Sequence, residues 1–440
     1  MLPEAVAAIL GAGRARTPLT VPRTFGRASI AMSEPPPSSA PAPAARAQGP
    51  RTRLSPLDLR VALLGVAGFL IAISWQFVLP ILPVRLSRIG YSAAQIGTLV
   101  SLLSLAMGIV ELEIGRIAGV LGARRTLVTG LVVNAAAMAW IVLTRAPAGV
   151  AAGLIGVGMA RAAMWSPLHA AVAATASEET RGRAFSVFWF LTSVAFLAGP
   201  AIGGTVAAQF GIRMSFFVGA AVSLLTLAVV VPITEPRPAV VQAGPPAASW
   251  EVLSDPIVRR LCLANHFFYA ISGIWSTFVP LYMVHLKLSV ATIGWLFTVQ
   301  GLTYALVQLP TGRLADRVGP ERLILPGVIG RAAILAICPL LHGAAPLLVA
   351  AVGFGAAGGM IPVTFTMLIA RFSSREHYTS AMGVYNSSGD LGFFVGPFLG
   401  GAAALLGIVA PFVLAFPLGA LGVAMALRGI AAVRRADREV

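Results

Sequence analysis

The segment GRLADRVGPER, at residues 312–322, is a short, arginine-rich stretch between two long apolar segments. It has the form G-x-L-A-D-R-x-G, and a degraded copy, GRIAGVLGARR, stands at residues 115–125. Glycines favour a tight turn between two helices, and the Asp316 carboxylate can pair with arginines or with helix ends. Each copy is therefore predicted to be a hinge that joins two helices at a membrane surface.

The two copies are 197 residues apart, and other motifs repeat at the same spacing. Ile96-Gly97 corresponds to Ile293-Gly294, and GPAIGG, beginning at Gly199, corresponds to GPFLGG, beginning at Gly396. Several motifs that share one spacing predict two homologous halves. An internal repeat in a hydrophobic chain is typical of a membrane transporter with two related domains.

These motifs resemble those of the major facilitator superfamily, and the resemblance covers roughly residues 57–430. GRLADRVG is similar to that family's loop between the second and third helices of each half. GPAIGG and GPFLGG resemble a fifth-helix motif often found in proton-coupled drug antiporters. The resemblance implies an all-α membrane protein with 12 transmembrane helices in two pseudo-symmetric six-helix bundles.

The composition independently indicates an integral membrane protein. Hydrophobic residues make up 57% of the 440 positions and charged residues 11%, with a mean hydropathy of +0.86. A soluble protein has about 25% charged residues. The net charge of +16 is spread over short clusters between apolar runs, which indicates membrane topology and argues against nucleic-acid binding. Cys262 and Cys338 fall inside apolar runs and imply no disulfide framework.

Twelve apolar runs follow one another, each close to the roughly 20 residues that span a bilayer. They are predicted at residues 59–82, 93–114, 125–144, 148–174, 183–208, 213–233, 258–283, 290–311, 322–341, 345–370, 379–404 and 408–428. The predicted domains are a disordered cytoplasmic segment (1–57), two six-helix bundles (58–233 and 258–428), a cytoplasmic linker (234–257) and a cytoplasmic tail (429–440).

The distribution of positive charge predicts the orientation. On one side of the membrane the segments between and beyond the runs hold twenty arginines, and on the other side they hold four arginines and Lys287. Cytoplasmic loops carry the excess of positive charge. Both termini are therefore predicted to be cytoplasmic, in a multi-pass protein of the inner (plasma) membrane.

Charged side chains inside the spans are candidates for function, because a charge at mid-bilayer costs at least ~2.5–3.5 kcal/mol and usually faces the bundle interior. Arg161, His266, Arg331 and Asp390 lie at mid-span. The resemblance implies a central cavity lined by the first, fourth, seventh and tenth helices. The candidate substrate-binding residues are Trp75, Gln76, Arg161, Trp165, Asn265, His266 and Tyr269.

Asp390 and His266 are the candidates for proton coupling, because burial favours a neutral carboxylic acid and histidine titrates near neutral pH. Each charged residue has a structural alternative. Asp390 can form a buried ion pair with Arg331, which can also pair within its own half of the protein. His266 can be a hydrogen-bonded packing residue, and Arg161 can bind a neighbour or backbone carbonyl groups.

The hinge and glycine–proline motifs are candidates for the conformational change. The proline removes a helical hydrogen bond and the glycines allow close helix approach, which suits an interface that rocks. In the first hinge Gly119 stands where the second has Asp316, so the sequence predicts that Glu111 or Glu113, near the end of the second span, supplies the missing anion to Arg124, Arg181 or Arg183. The motif residues are Gly115, Arg116, Gly122, Arg124, Gly199, Pro200, Gly312, Asp316, Arg317, Gly319, Gly396 and Pro397.

No nucleotide-binding, metal-binding or nucleophile motif is present, so the chain is predicted to be a secondary transporter, not an enzyme, with no cofactor or metal. The predicted activity is proton-coupled efflux of a small molecule by a monomer in the lipid bilayer. One alternative is proton-coupled uptake of a small anionic metabolite, which Arg161 would bind. Another is a membrane receptor or scaffold that transports nothing.

Overall fold

The computed structural model describes residues 56–175, 181–232, 252–372 and 378–439, which form one compact unit. This part of the chain is helical and has no β-strand. Its twelve long helices are α1 Pro56–Gln76, α2 Ala93–Leu121, α3 Ala123–Leu143, α4 Pro147–Thr175, α5 Arg181–Phe210, α6 Ile212–Val230, α7 Pro256–His285, α8 Val290–Val318, α9 Glu321–Ile337, α10 Ala344–Phe372, α11 Tyr378–Ala404 and α12 Ala415–Glu439. The predicted all-α fold with twelve helices is confirmed.

Ten described helices are long and apolar enough to cross a membrane, and α1 contributes a shorter apolar segment, Arg60–Gln76. The helix α11 is not among them, since its first half carries the polar sequence YNSSGD at residues 385–390. The predicted N-terminal segment up to residue 55 and the linker from 233 to 251 lie outside the described residues. The last helix, α12, continues to Glu439, through the region predicted as a tail.

The two hinges begin as helix and turn later than the sequence suggested. The helices α2 and α8 continue past Gly115 and Gly312, and the chain turns at Gly122 (φ 89°) and Gly319 (φ 90°). A side chain is strained at such positive φ values, so glycine is favoured at these two corners. We call the side with these corners the hinge face and the other side the opposite face.

Helix packing repeats between the halves. In the first half α1 packs on α5 and α6, and α4 packs on α2 and α3; in the second half α7 packs on α11 and α12, and α10 packs on α8 and α9. Adding six to each helix number converts one set into the other. The halves meet along α2–α11 and α5–α8, two contacts that the same operation exchanges.

The hydrophobic cores show which face is closed. One cluster of buried side chains, including Val84 and Phe278, joins both halves near the opposite face. Toward the hinge face each half has a separate cluster, with Leu64 in the first and Val258 in the second. The halves therefore share one hydrophobic core near the opposite face and have separate cores near the hinge face, an arrangement expected of a transporter that is open to one side.

The glycine–proline motifs build the closed face. A methyl group added to Gly97 of α2 would lie 2.7 Å from Cα of Gly401 of α11, and one added to Gly294 of α8 would lie 3.0 Å from Cα of Gly204 of α5. Real carbon atoms rarely approach so closely, so the helix backbones themselves touch here. We call these two contacts the glycine crossings.

One hydrogen-bonded bridge reinforces the α5–α8 crossing. The Thr298 hydroxyl group of α8 donates to the Leu197 carbonyl group at 2.9 Å and accepts from the Ala201 N–H group at 3.0 Å. These are neighbouring backbone groups beside Pro200, which removes a hydrogen bond from α5. A side chain from the other half thus satisfies the helix where proline weakens it.

Candidate functional site

The central residues of the predicted pocket come together. Arg161, in the middle of α4, places its guanidinium carbon 4.7 Å from the ring centre of Trp75, near the end of α1. A cation over an indole face is a favourable contact, and here it joins two of the helices that the resemblance placed around the cavity. Arg161 remains partly exposed.

Asp390 faces Arg161 from the other half of the protein. The Asp390 carboxyl group, on α11, lies beside the side chain of Glu111 on α2, and both acids interact electrostatically with Arg161, although, among the described residues, neither forms an ion pair with it within 4 Å. Asp390 is partly buried and Glu111 is exposed. Three charged side chains from α2, α4 and α11 therefore form one cluster across the interface, which we call the charge triad.

The structure places His266 and Asn265 against α11. The His266 Nδ1 atom lies 3.2 Å from the Ser388 carbonyl oxygen, a contact in which it donates when protonated. Asn265 is fully buried, and its amide group donates to the Tyr385 carbonyl group at 3.0 Å and to the Ser388 hydroxyl group at 3.1 Å. Both side chains hold α7 to α11, which is the structural alternative considered for His266.

The remaining predicted pocket residues surround the charge triad more loosely. Tyr269 packs against α11 at Gly389, next to Asp390. Trp165 lies one turn from Arg161 and packs on the rings of His169 and Phe188. Gln76 is buried against Gly199 of α5, and its Oε1 atom has no hydrogen-bond partner within the described residues.

Arg331 is held inside the second half, without Asp390. It donates to the Ser272 hydroxyl group and, at 3.4 Å, to the Phe354 carbonyl oxygen. Its guanidinium carbon lies 4.5 Å and 4.1 Å from the ring centres of Phe268 and Phe354. The described residues contain no Asp390–Arg331 ion pair within 4 Å, so that alternative is wrong, whereas pairing of Arg331 within its own half is what the structure shows.

Several charged residues of the hinge motifs are exposed, whereas Arg124 is half-buried. Asp316 and Arg317, at the end of α8, both face solvent, and they form no ion pair within the described chain. In the first hinge, Glu113 pairs with Arg116 of the same helix at 3.1 Å. The side chains of Arg181 and Arg183 lie outside the described residues, so a contact between them and either glutamate stays a prediction.

Comparison with known proteins decides the family. The model of the Major Facilitator Superfamily matches residues 64–289 and again residues 261–439, so one family pattern covers nearly all of the described chain. The chain belongs to the Major Facilitator Superfamily. The predicted membrane transporter, which is not an enzyme, follows from this membership.

Curated relatives in this superfamily include drug-resistance proteins. The chain is 25% identical over 360 residues to the multi-drug resistance efflux pump PmrA homolog of Lactococcus lactis, covering 76% of this chain and 86% of that one. It is 28% identical over 219 residues to the multidrug resistance protein MdtG of Escherichia coli, covering 47% of this chain and 53% of that one. Among solved structures, the nucleoside transporter NupG matches with a TM-score of 0.69 at 14% identity, covering 86% of this chain and 99% of that one, which supports the fold alone.

Sequence reasoning missed the proximity of Glu111 to Asp390. Glu111 was placed near the end of its span, and α2 continues for ten more residues to Leu121. The apolar segment of α2, Ala93–Glu111, ends at Glu111, as the sequence indicated, and Glu111 lies there opposite Asp390.

Proposed function

We propose that this protein is a secondary transporter that exports a small amphiphilic compound in exchange for protons. The observation that supports this proposal most directly is the position of Asp390. Its carboxyl group lies on a membrane helix and faces Arg161 across the interface between the halves. A carboxyl group there can be neutralised by a proton, and the halves that it joins are the parts that move in alternating access. The drug-resistance relatives support the direction of transport.

In this proposal five of the predicted residues have a stated role. Asp390 carries the proton, and Arg161 with Trp75 and Trp165 forms the wall on which an amphiphilic substrate rests. His266, bonded to the α11 backbone, is the second candidate for the proton. The hinge face is cytoplasmic in the inner membrane, so the structure is open inward, and one chain is sufficient for transport.

Uptake of a small anionic metabolite is the second candidate. Arg161 is a partly exposed cation in the space between the halves, and guanidinium groups bind carboxylates and phosphates well. However, two carboxyl groups already oppose Arg161. Unless both are protonated, their negative charge counteracts anion binding, so we favour export.

Dye efflux from cells tests the proposal. The probes are ethidium as a cation, Nile red as a neutral dye and fluorescein as an anion, each with and without a protonophore. The variants are Asp390→Asn and, as a control, Glu113→Gln, which makes the same acid-to-amide change at an exposed site. We expect efflux of ethidium or Nile red that collapses with the protonophore and in Asp390→Asn but persists in Glu113→Gln.

The other outcomes would change the proton-carrying residue, the coupling or the direction of transport that we propose. Efflux that survives Asp390→Asn but not the protonophore moves the proton to His266 or to another residue. Efflux that the protonophore leaves unchanged excludes proton coupling. Accumulation of fluorescein that Arg161→Ala abolishes, with no efflux of any dye, favours uptake of anions.

A further inference from the structure

We propose that Glu111 completes the proton-binding site: Glu111 and Asp390 hold one proton between them, and this shared proton links the two halves of the protein. The inference deepens the proposed function and rests on it for its role in transport. It assigns a role to a residue that the sequence placed at the membrane surface. It also makes the proton site a part of the moving interface, not a feature of one bundle.

Helix geometry brings the two acids to the same level. The glycine crossing fixes α2 against α11 at Gly97 and Gly401. Along α2, Glu111 lies 14 residues from Gly97, and along α11, Asp390 lies 11 residues from Gly401, both toward the hinge face. At 1.5 Å per residue, these separations are about 21 Å and about 17 Å. Two antiparallel helices that touch at the crossing thus carry their carboxyl groups to nearly the same depth.

The contact between the carboxyl groups requires a proton. Two carboxylates that share one site repel each other, and one proton held between them removes that repulsion. With one proton shared, the pair carries a single negative charge, which the Arg161 guanidinium balances. Release of that proton to water leaves two carboxylates facing one guanidinium, a net charge of −1, and the repulsion acts directly between α2 and α11.

The neighbouring groups do not supply another acid for this role. From α4, Arg161 faces Asp390, and from α7, Tyr269 lies beside it. The His266 ring is directed to the Ser388 carbonyl group. No described residue of α10 or of the short helix Ala410–Val413 carries a charge that interacts with Asp390. Glu111 is therefore the acid within the described chain that can share its proton.

The distance between the halves, followed as a function of pH, tests the proposal without a substrate. Spin labels are attached at Arg125→Cys and Arg322→Cys, which are exposed, related by the 197-residue repeat and located at the hinge-face starts of α3 and α9. The two native cysteines are buried and do not compete for the label. Full-length protein in lipid nanodiscs is measured by double electron–electron resonance from pH 5 to pH 9.

In the otherwise unchanged protein, we expect the longer distance between the labels, which the separate hinge-face cores indicate, to gain population at low pH, because the shared proton stabilises this arrangement. The ratio of the two conformations changes by up to about tenfold for each factor of ten by which their proton affinities differ. Glu111→Gln and Asp390→Asn are each expected to abolish this pH response, and the double variant to add nothing. Asp255→Asn, the same acid-to-amide change at the N-cap of α7, where asparagine is an equally good cap, retains it.

A Glu111→Gln protein with the full pH response overturns the proposal, as does an unchanged protein whose distances do not depend on pH. If Glu111→Gln does not fold, Glu111→Asp decides: a shifted midpoint supports the pair, and an unchanged curve contradicts it. Failure here is distinct from failure of the proposed function. Protonophore-sensitive dye efflux together with a pH-independent distance would leave proton-coupled export intact and remove only the shared site.

Discussion

The glycine crossings predict how a single methyl group changes the balance between conformations. In Gly97→Ala the added carbon would stand 2.7 Å from Cα of Gly401. Comfortable carbon–carbon contacts are about 3.5–4.0 Å, so α2 and α11 have to separate by about 1 Å. Overpacking of this kind costs ~1–3 kcal/mol. The cost applies to the state that is closed at the opposite face and is relieved when that face opens.

This free-energy difference moves the conformational equilibrium away from the structure described here by about 5- to 150-fold. The assay is the distance between spin labels at Arg125→Cys and Arg322→Cys, at constant pH, in which Gly97→Ala should raise the population of the shorter distance. Gly294→Ala, its counterpart in the repeat, should act in the same direction.

Gly108→Ala is the matched control for this prediction. Gly108 lies on the same helix, α2, and a methyl group added there meets no atom within 4 Å. Both substitutions raise helix propensity by the same amount, so this contribution cancels in the comparison. If Gly97→Ala and Gly108→Ala give the same distance distribution, the reasoning from the crossing is refuted.

Two further substitutions test the packing of the halves. Arg331→Ala should lower the free energy of unfolding by about 2–4 kcal/mol, because it empties the space between Phe268 and Phe354 and leaves the Ser272 hydroxyl group without this partner. Thermal unfolding in detergent measures this, and a smaller loss in Arg331→Met is expected because methionine still fills the space. Thr298→Val should cost about 1–2 kcal/mol and weaken the closed face, since it leaves the Ala201 N–H group without its acceptor; a melting temperature equal to that of the unchanged protein contradicts this.

The fold was predictable because its determinants are local or periodic. Long apolar runs define helices whatever their neighbours, and the spacing between Gly115 and Gly312 defines two halves without any knowledge of contacts. The hinge boundaries were less accurate, since GRIAG and GRLAD were expected to turn and are helical. Only Gly122 and Gly319 adopt the positive φ that ends a helix at these hinges.

The residues of the candidate site could be selected from the sequence, but their contacts could not. Arg161 and Asp390 were identified because charge inside a membrane span is costly wherever it occurs. Glu111, which neighbours both residues, lies on α2, in the opposite half of the protein from Asp390. A single sequence does not show which helix faces meet. The contacts of Arg331 were likewise not predictable. Aromatic rings such as Phe268 and Phe354 are common in apolar runs, so they do not indicate that an arginine lies between them.

The most direct test of the account is proton movement during transport by purified protein in liposomes. A pH-sensitive dye is enclosed, ethidium is supplied as a gradient across the membrane, and no pH difference is imposed at the start. We predict that ethidium flux drives protons in the opposite direction, and that this movement disappears in Asp390→Asn but not in Glu113→Gln. Ethidium flux without any proton movement, or with the full movement in Asp390→Asn, would contradict the account.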